Sequence, residues 1–162
     1  MLNITRTLAA GLTALALSGA VFAVAAPAPA VAQTAPTQDE AKALALKAAD
    51  LIAAKGMEEA VKVFNEKGDF NYGEIYVNVI DLDGIWRAYP PRPAGVGQNV
   101  LNVKDPDGRM IVQEILTLAK DKGEGWVEYR WMNPTTNKIQ PKVTYVKKVP
   151  GLDYVAYVGI YK

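Results

Sequence analysis

From Phe70 onward the chain is cut into strand-length segments by short turns, and this punctuation limits the fold more than any other feature. Twelve of the 14 aromatic residues fall between Phe70 and Tyr161. Glu74–Ile80 is rich in β-branched and aromatic residues, Asp81-Leu82-Asp83-Gly84 is a turn signal, and Ile85–Tyr89 reads as the returning strand. Three more strands are expected at Trp126–Met132, Val143–Val149 and Tyr154–Tyr161. Asn133-Pro134-Thr135-Thr136-Asn137 joins the first two of these, and Pro150-Gly151 joins the last two. Five strands with two hairpins imply one antiparallel sheet with helices packed on it, an α+β fold.

The helices are legible from spacing. Thr37 and Glu40 stand at the N-cap and N3 positions of a capping box. Ala41, Leu44, Ala48, Leu51 and Ile52 then mark one face of a long helix. Gly56 loosens it, and Met57, Ala60, Val61 and Phe64 repeat the spacing in a short second helix that Gly68 can stop. Met110, Ile111, Glu114, Ile115 and Leu118 predict a third helix to about Lys120, ended by Gly123 and Gly125. Alternation puts Tyr76 and Asn78 on one sheet face and Ile75, Val77 and Val79 on the other. It also opposes Val127, Tyr129 and Trp131 to Trp126, Glu128 and Arg130; Trp126 is assigned to the core. Both faces carry aromatics. The long helix can cover one, and the loop and helix between residues 90 and 120 the other, with room for a pocket beneath them.

Residues 1–32 read as an export signal. Arg6 is the positive n-region, Leu8–Ala26 the apolar stretch, and Ala30-Val31-Ala32 a small-x-small cleavage site that would leave Gln33 as the new N-terminus. Ala23-Val24-Ala25 is a competing site, and an uncleaved membrane anchor is the alternative reading. Residues 33–37 are then a short tether and residues 38–162 one domain in a periplasmic protein. Without residues 1–32 the chain has 17 bases and 17 acids. That neutrality argues against nucleic acid as a partner. With no His and no Cys there is no catalytic triad, thiol nucleophile, thiolate zinc site or disulfide. These exclusions put binding ahead of catalysis, and no cofactor is implied.

Tyr76–Gly84, a Pro-rich turn, Gly97-Gln98-Asn99, Lys104–Arg109, Gly123–Thr136 and Pro141–Lys162 form a series that resembles the single Cache domain of the type-2 class. The resemblance spans about residues 38–162. It implies a PAS-like antiparallel sheet of five to six strands behind a long N-terminal helix. It also implies an extracytoplasmic sensing pocket for a small organic anion, often a short carboxylate, read by a membrane receptor, kinase or transporter. Tyr89 stands where members usually have His, and Gln98 where they often have Lys. Two other functions compete with it: an interaction or structural protein with a vestigial pocket, and an enzyme built on paired carboxylates such as Glu114 and Glu128.

The candidate ligand-binding residues follow from side-chain chemistry. Lys142, at the expected start of the fourth strand, could pair a carboxylate or lie in water as a strand-end lysine. Arg87 could grip a carboxylate with two hydrogen bonds or face solvent from an edge strand. Tyr76, Tyr89, Tyr129, Trp131 and Tyr145 could wall a pocket or simply fill the core. Asn99 could donate from the loop or cap its turn. Asp81, Asp83, Asp105 and Asp107 are read as solvated Asp-Gly turns in preference to a calcium loop.

Overall fold

A computed structural model describes residues 35–162 of the chain. The expected export signal and the first part of the tether lie outside the described residues. Helix α1 (Gln38–Lys55) begins at the capping box: Thr37 Oγ1 accepts from the Glu40 amide and Glu40 Oε2 from the Thr37 amide. It breaks at Gly56, whose φ of 80° few other residues adopt, and helix α2 (Met57–Asn65) follows. The strands are β1 (Asn71–Tyr72), β2 (Ile75–Asp81), β3 (Trp86–Ala88), β4 (Glu124–Asn133), β5 (Lys138–Lys148) and β6 (Tyr154–Tyr161). A 3₁₀ turn at Pro93–Gly95 and helix α3 (Ile111–Lys122) lie between β3 and β4. Among the described residues no helix is long and apolar enough to cross a membrane.

The six strands form one antiparallel sheet in the order β1-β2-β6-β5-β4, with β3 also paired to β2. β2 and β6 are buried on both faces. Helix α1 lies across β2, β5 and β6 and closes one core with Ala41, Ala45, Ile52, Val77 and Val158. Helix α3 and the loop before it close a second core on the opposite face, around Ile80, Val112, Ile115, Leu116 and Val146. The mixed α+β fold expected from the sequence is therefore present, with the two coverings in their expected places.

Three expectations need correction. Trp126 is 37% exposed, because α1 does not extend over the edge strand β4 that carries it. β5 starts at Lys138, so Lys142 sits inside the strand. Pro141 hid this extension, since a proline usually bars a strand interior. Here Pro141 lies beyond the last pairing with β6, Lys142 with Tyr161, where its missing N–H breaks no ladder bond. The turn aspartates are not simply solvated either. Asp81 and Asp105 are buried and accept backbone N–H groups, from Asp83 and Ile85 and from Asp107 and Arg109. No group of three or more potential metal ligands occurs among the described residues.

Candidate functional site

Four strands aim their alternate residues at the α3 side of the sheet. β2 contributes Tyr76 and Asn78, β4 Tyr129 and Trp131, and β5 Lys142, while β6 adds Tyr157. Helix α3 roofs them with Ile111, Val112 and Ile115, and Trp86, Tyr89 and Val103 close the sides. The space enclosed is about 20 Å³. That suits a ligand of a few non-hydrogen atoms, far from the several hundred Å³ of a drug-sized pocket.

Lys142 is the chemical centre of this cavity. It is 2% exposed, yet no carboxylate pairs with it among the described residues. Its ammonium donates to Tyr76 Oη at 2.7 Å and Tyr161 Oη at 3.3 Å. It lies 4.3 Å and 4.5 Å from the centres of the same two rings. Loss of hydration pushes its pKa down to about 7, opposed only by the field of Glu74. Tyr161 Oη donates to the Met132 carbonyl at 2.7 Å, so the 3.2 Å contact between the two phenols runs from Tyr76 to Tyr161. Burial raises the pKa of Tyr76 well above that of a free phenol and that of Tyr161 to about 12. Both remain neutral hydrogen-bonding groups at physiological pH.

The other rings are fixed by partners of their own. Trp86 Nε1 donates to Tyr157 Oη at 3.0 Å, Trp131 Nε1 to Tyr89 Oη at 3.3 Å, and Thr144 Oγ1 to Tyr129 Oη at 3.0 Å. Trp86 and Tyr89 stack with centroids 4.3 Å apart. Burial holds the Tyr129 and Tyr157 phenols strongly protonated. Among the described residues, Asn78 Oδ1 is a buried side-chain acceptor without any hydrogen bond.

Of the residues expected from the sequence, the structure brings Lys142, Tyr76, Tyr89, Tyr129 and Trp131 together. It does not bring Tyr145, Arg87 or Asn99 to them. Tyr145 is three residues from Lys142 on β5 and faces α1, against Trp126 and beneath Lys42. Arg87 turns outward and grips Asp81 Oδ2 through Nε at 2.9 Å and a terminal nitrogen at 2.6 Å. Asn99 braces its own loop by donating to the Asp83 carbonyl and accepting from the Leu101 amide. Glu114 and Glu128 do not converge as an acid–base pair; they bind Arg109 and Lys162. Sequence reasoning missed Asn78, Trp86, Tyr157 and Tyr161, although counting by twos along β2 and β6 would have found three of them.

The sheet is thus covered on both faces, with a small cavity under its α3 side. The sequence profile described as Single Cache domain 2 matches residues 16–162. The chain belongs to this Cache family. Its relatives agree. It is 30% identical over 109 residues to the sensor histidine kinase MctS of Rhizobium johnstonii, covering 67% of this chain and 23% of that protein. It is 27% identical over 86 residues to the methyl-accepting chemotaxis protein McpP of Pseudomonas putida, covering 53% and 16%. The chain thus spans less than a quarter of either relative's length. Among solved structures, a methyl-accepting chemotaxis protein from Vibrio parahaemolyticus shares the fold with a TM-score of 0.66 at 24% identity, covering 76% of this chain and 86% of that one. A Cache chemosensory domain described for its carboxylic acid recognition superposes with a TM-score of 0.62 at 26% identity, covering 76% and 86%.

Proposed function

We propose that this Cache domain binds a short carboxylate outside the cytoplasm and signals its presence to a membrane partner. The observation that carries the reading is the ammonium of Lys142, buried at a cavity wall with only neutral phenols to hold it. An unpaired buried charge is costly, and a counterion entering the cavity removes that cost. The anion would take one ammonium N–H and lie among aromatic walls that suit a short apolar stem. Tyr76, Tyr89, Tyr129 and Trp131 supply those walls. The carboxylic acid recognition described for one solved relative supports the same chemistry.

Residues 1–32 would direct export and be removed, leaving a periplasmic protein that begins near Gln33. The kinase and chemoreceptor relatives suggest the class of partner: a membrane receptor, kinase or transporter that reads the occupied state. The function is recognition, with no turnover. A thermal-shift series with two- to four-carbon acids and amines of matched size tests it. An acid should raise Tm in proportion to the logarithm of its concentration, and the amines should not. No shift with any acid at millimolar concentration would overturn the reading.

A further inference from the structure

The unpartnered amide of Asn78 carries information about the ligand that the lysine does not. Asn78 is 3% exposed and lines the cavity, and its Oδ1 has no hydrogen bond. Buried acceptors are nearly always satisfied, because an unmade hydrogen bond costs the full desolvation of the group. An acceptor left open at a cavity wall therefore points to a donor supplied by the occupant.

The sheet register locates this acceptor relative to the ammonium. Lys142 reaches across β6 at Gly159, where an added Cβ would lie 2.5 Å from its Cε, and ends on Tyr76. Asn78 is two residues further along the same face of β2, its Cα about 7 Å from that of Tyr76 by strand geometry. Both groups line one small cavity, so a small molecule with a carboxylate at one end and a hydrogen-bond donor within two or three atoms of it can meet both.

The donor's identity follows from what else lines the cavity. No acidic side chain does, so an amino group would add a second unpaired cation beside Lys142. A keto oxygen only accepts, so it leaves Oδ1 open and is served only with the amide's two ends exchanged. A hydroxyl donates to Oδ1, and serves the amide equally well with its two ends exchanged, because it can also accept. A trapped water beside a plain alkanoate could do the same, and direct comparison of the alkanoate with the hydroxy acids separates the two cases.

We infer that Asn78 is a specificity residue that selects a short hydroxy acid over the alkanoate of the same length. This rests on the reading of the cavity as a carboxylate site. The test is calorimetric titration of the purified protein with propionate, 2-hydroxypropionate, 3-hydroxypropionate and alanine, repeated on Asn78→Leu. In the wild type, at least one hydroxy acid should bind about tenfold or more tighter than propionate, and alanine should bind weakest. In Asn78→Leu that preference should vanish or reverse. Propionate binding the wild type as tightly as both hydroxy acids would overturn the inference and leave the carboxylate site standing; this comparison needs no variant. A preference that persists unchanged in Asn78→Leu would also overturn it. Failure of every acid to bind would overturn both the carboxylate reading and the inference.

Discussion

A lysine ammonium surrounded by phenols and aliphatic side chains has lost hydration that two neutral hydrogen bonds do not replace. Lys142 is in that position, and the result is a proton held weakly in the folded state, with a pKa of about 7. In the unfolded chain the same group titrates near the ordinary lysine value of about 10.4. Between those values the unfolded state binds a proton that the folded state does not. Stability of the empty protein should therefore rise with pH from about 7 to about 10, and below 7 the cost is present in full. Lys142→Met should stabilise the ligand-free protein by a few kcal/mol at pH 6, and the gain should shrink toward pH 10. Denaturant unfolding at three pH values reads this directly. A variant that is less stable at pH 6 would make Lys142 a structural residue. Thr37 is a simpler case: its side chain satisfies one amide at the start of α1. Thr37→Ala should cost about 0.5–2 kcal/mol, seen as a lower unfolding midpoint.

At the scale of elements, the site depends on a gap in β6. Gly159 is the position over which the lysine passes, and a Cβ there would meet Thr144 Oγ1 at 2.2 Å and Lys142 Cε at 2.5 Å. Thr144 is itself bound to Tyr129 Oη, so neither neighbour moves freely. Gly159→Ala should cost about 1–3 kcal/mol in stability and displace the ammonium from Tyr76. Chemical denaturation measures the first effect, and loss of ligand-induced Tm shift the second. Much of this element structure was readable in advance. The capping box, the 3–4 spacing of α1 and the glycine stop after α3 are local signals, and each element formed where its signal lay. The site was less legible because it is assembled across strands. Tyr145 was grouped with Lys142 by chemistry, but an odd spacing on a strand puts the two on opposite faces. Arg87 looked available for an anion only because Asp81, six residues earlier, could not be seen to fold back on it. The extra turn of β5 before Lys142 was concealed by Pro141, and the two-residue β1 is too short to show any period.

For the whole molecule, the sheet separates two differently built faces. Its α1 side is an apolar core packed with small alanines and valines, and serves stability. Its α3 side holds the polar residues that a packed core would avoid, Lys142 and Asn78 among them. On the proposed function, the buried cation and open amide of this cavity trade stability for recognition. Export belongs to this scale too: protein recovered from the periplasm should begin at or near Gln33, as read by intact mass, whereas a full-length chain in the membrane fraction would favour an anchor. The central claim is that the Lys142 ammonium is the counterion of a bound carboxylate. Calorimetry with the best-binding acid, on wild type and Lys142→Met at pH 6 and pH 8.5, tests it most directly. Wild-type binding should be tighter at pH 6, since an anion favours the protonated lysine, and should take up a proton at pH 8.5. Lys142→Met should lose well over tenfold in affinity at pH 6 and bind without proton uptake. Equal affinity in the two proteins, with the same pH dependence, would contradict the account.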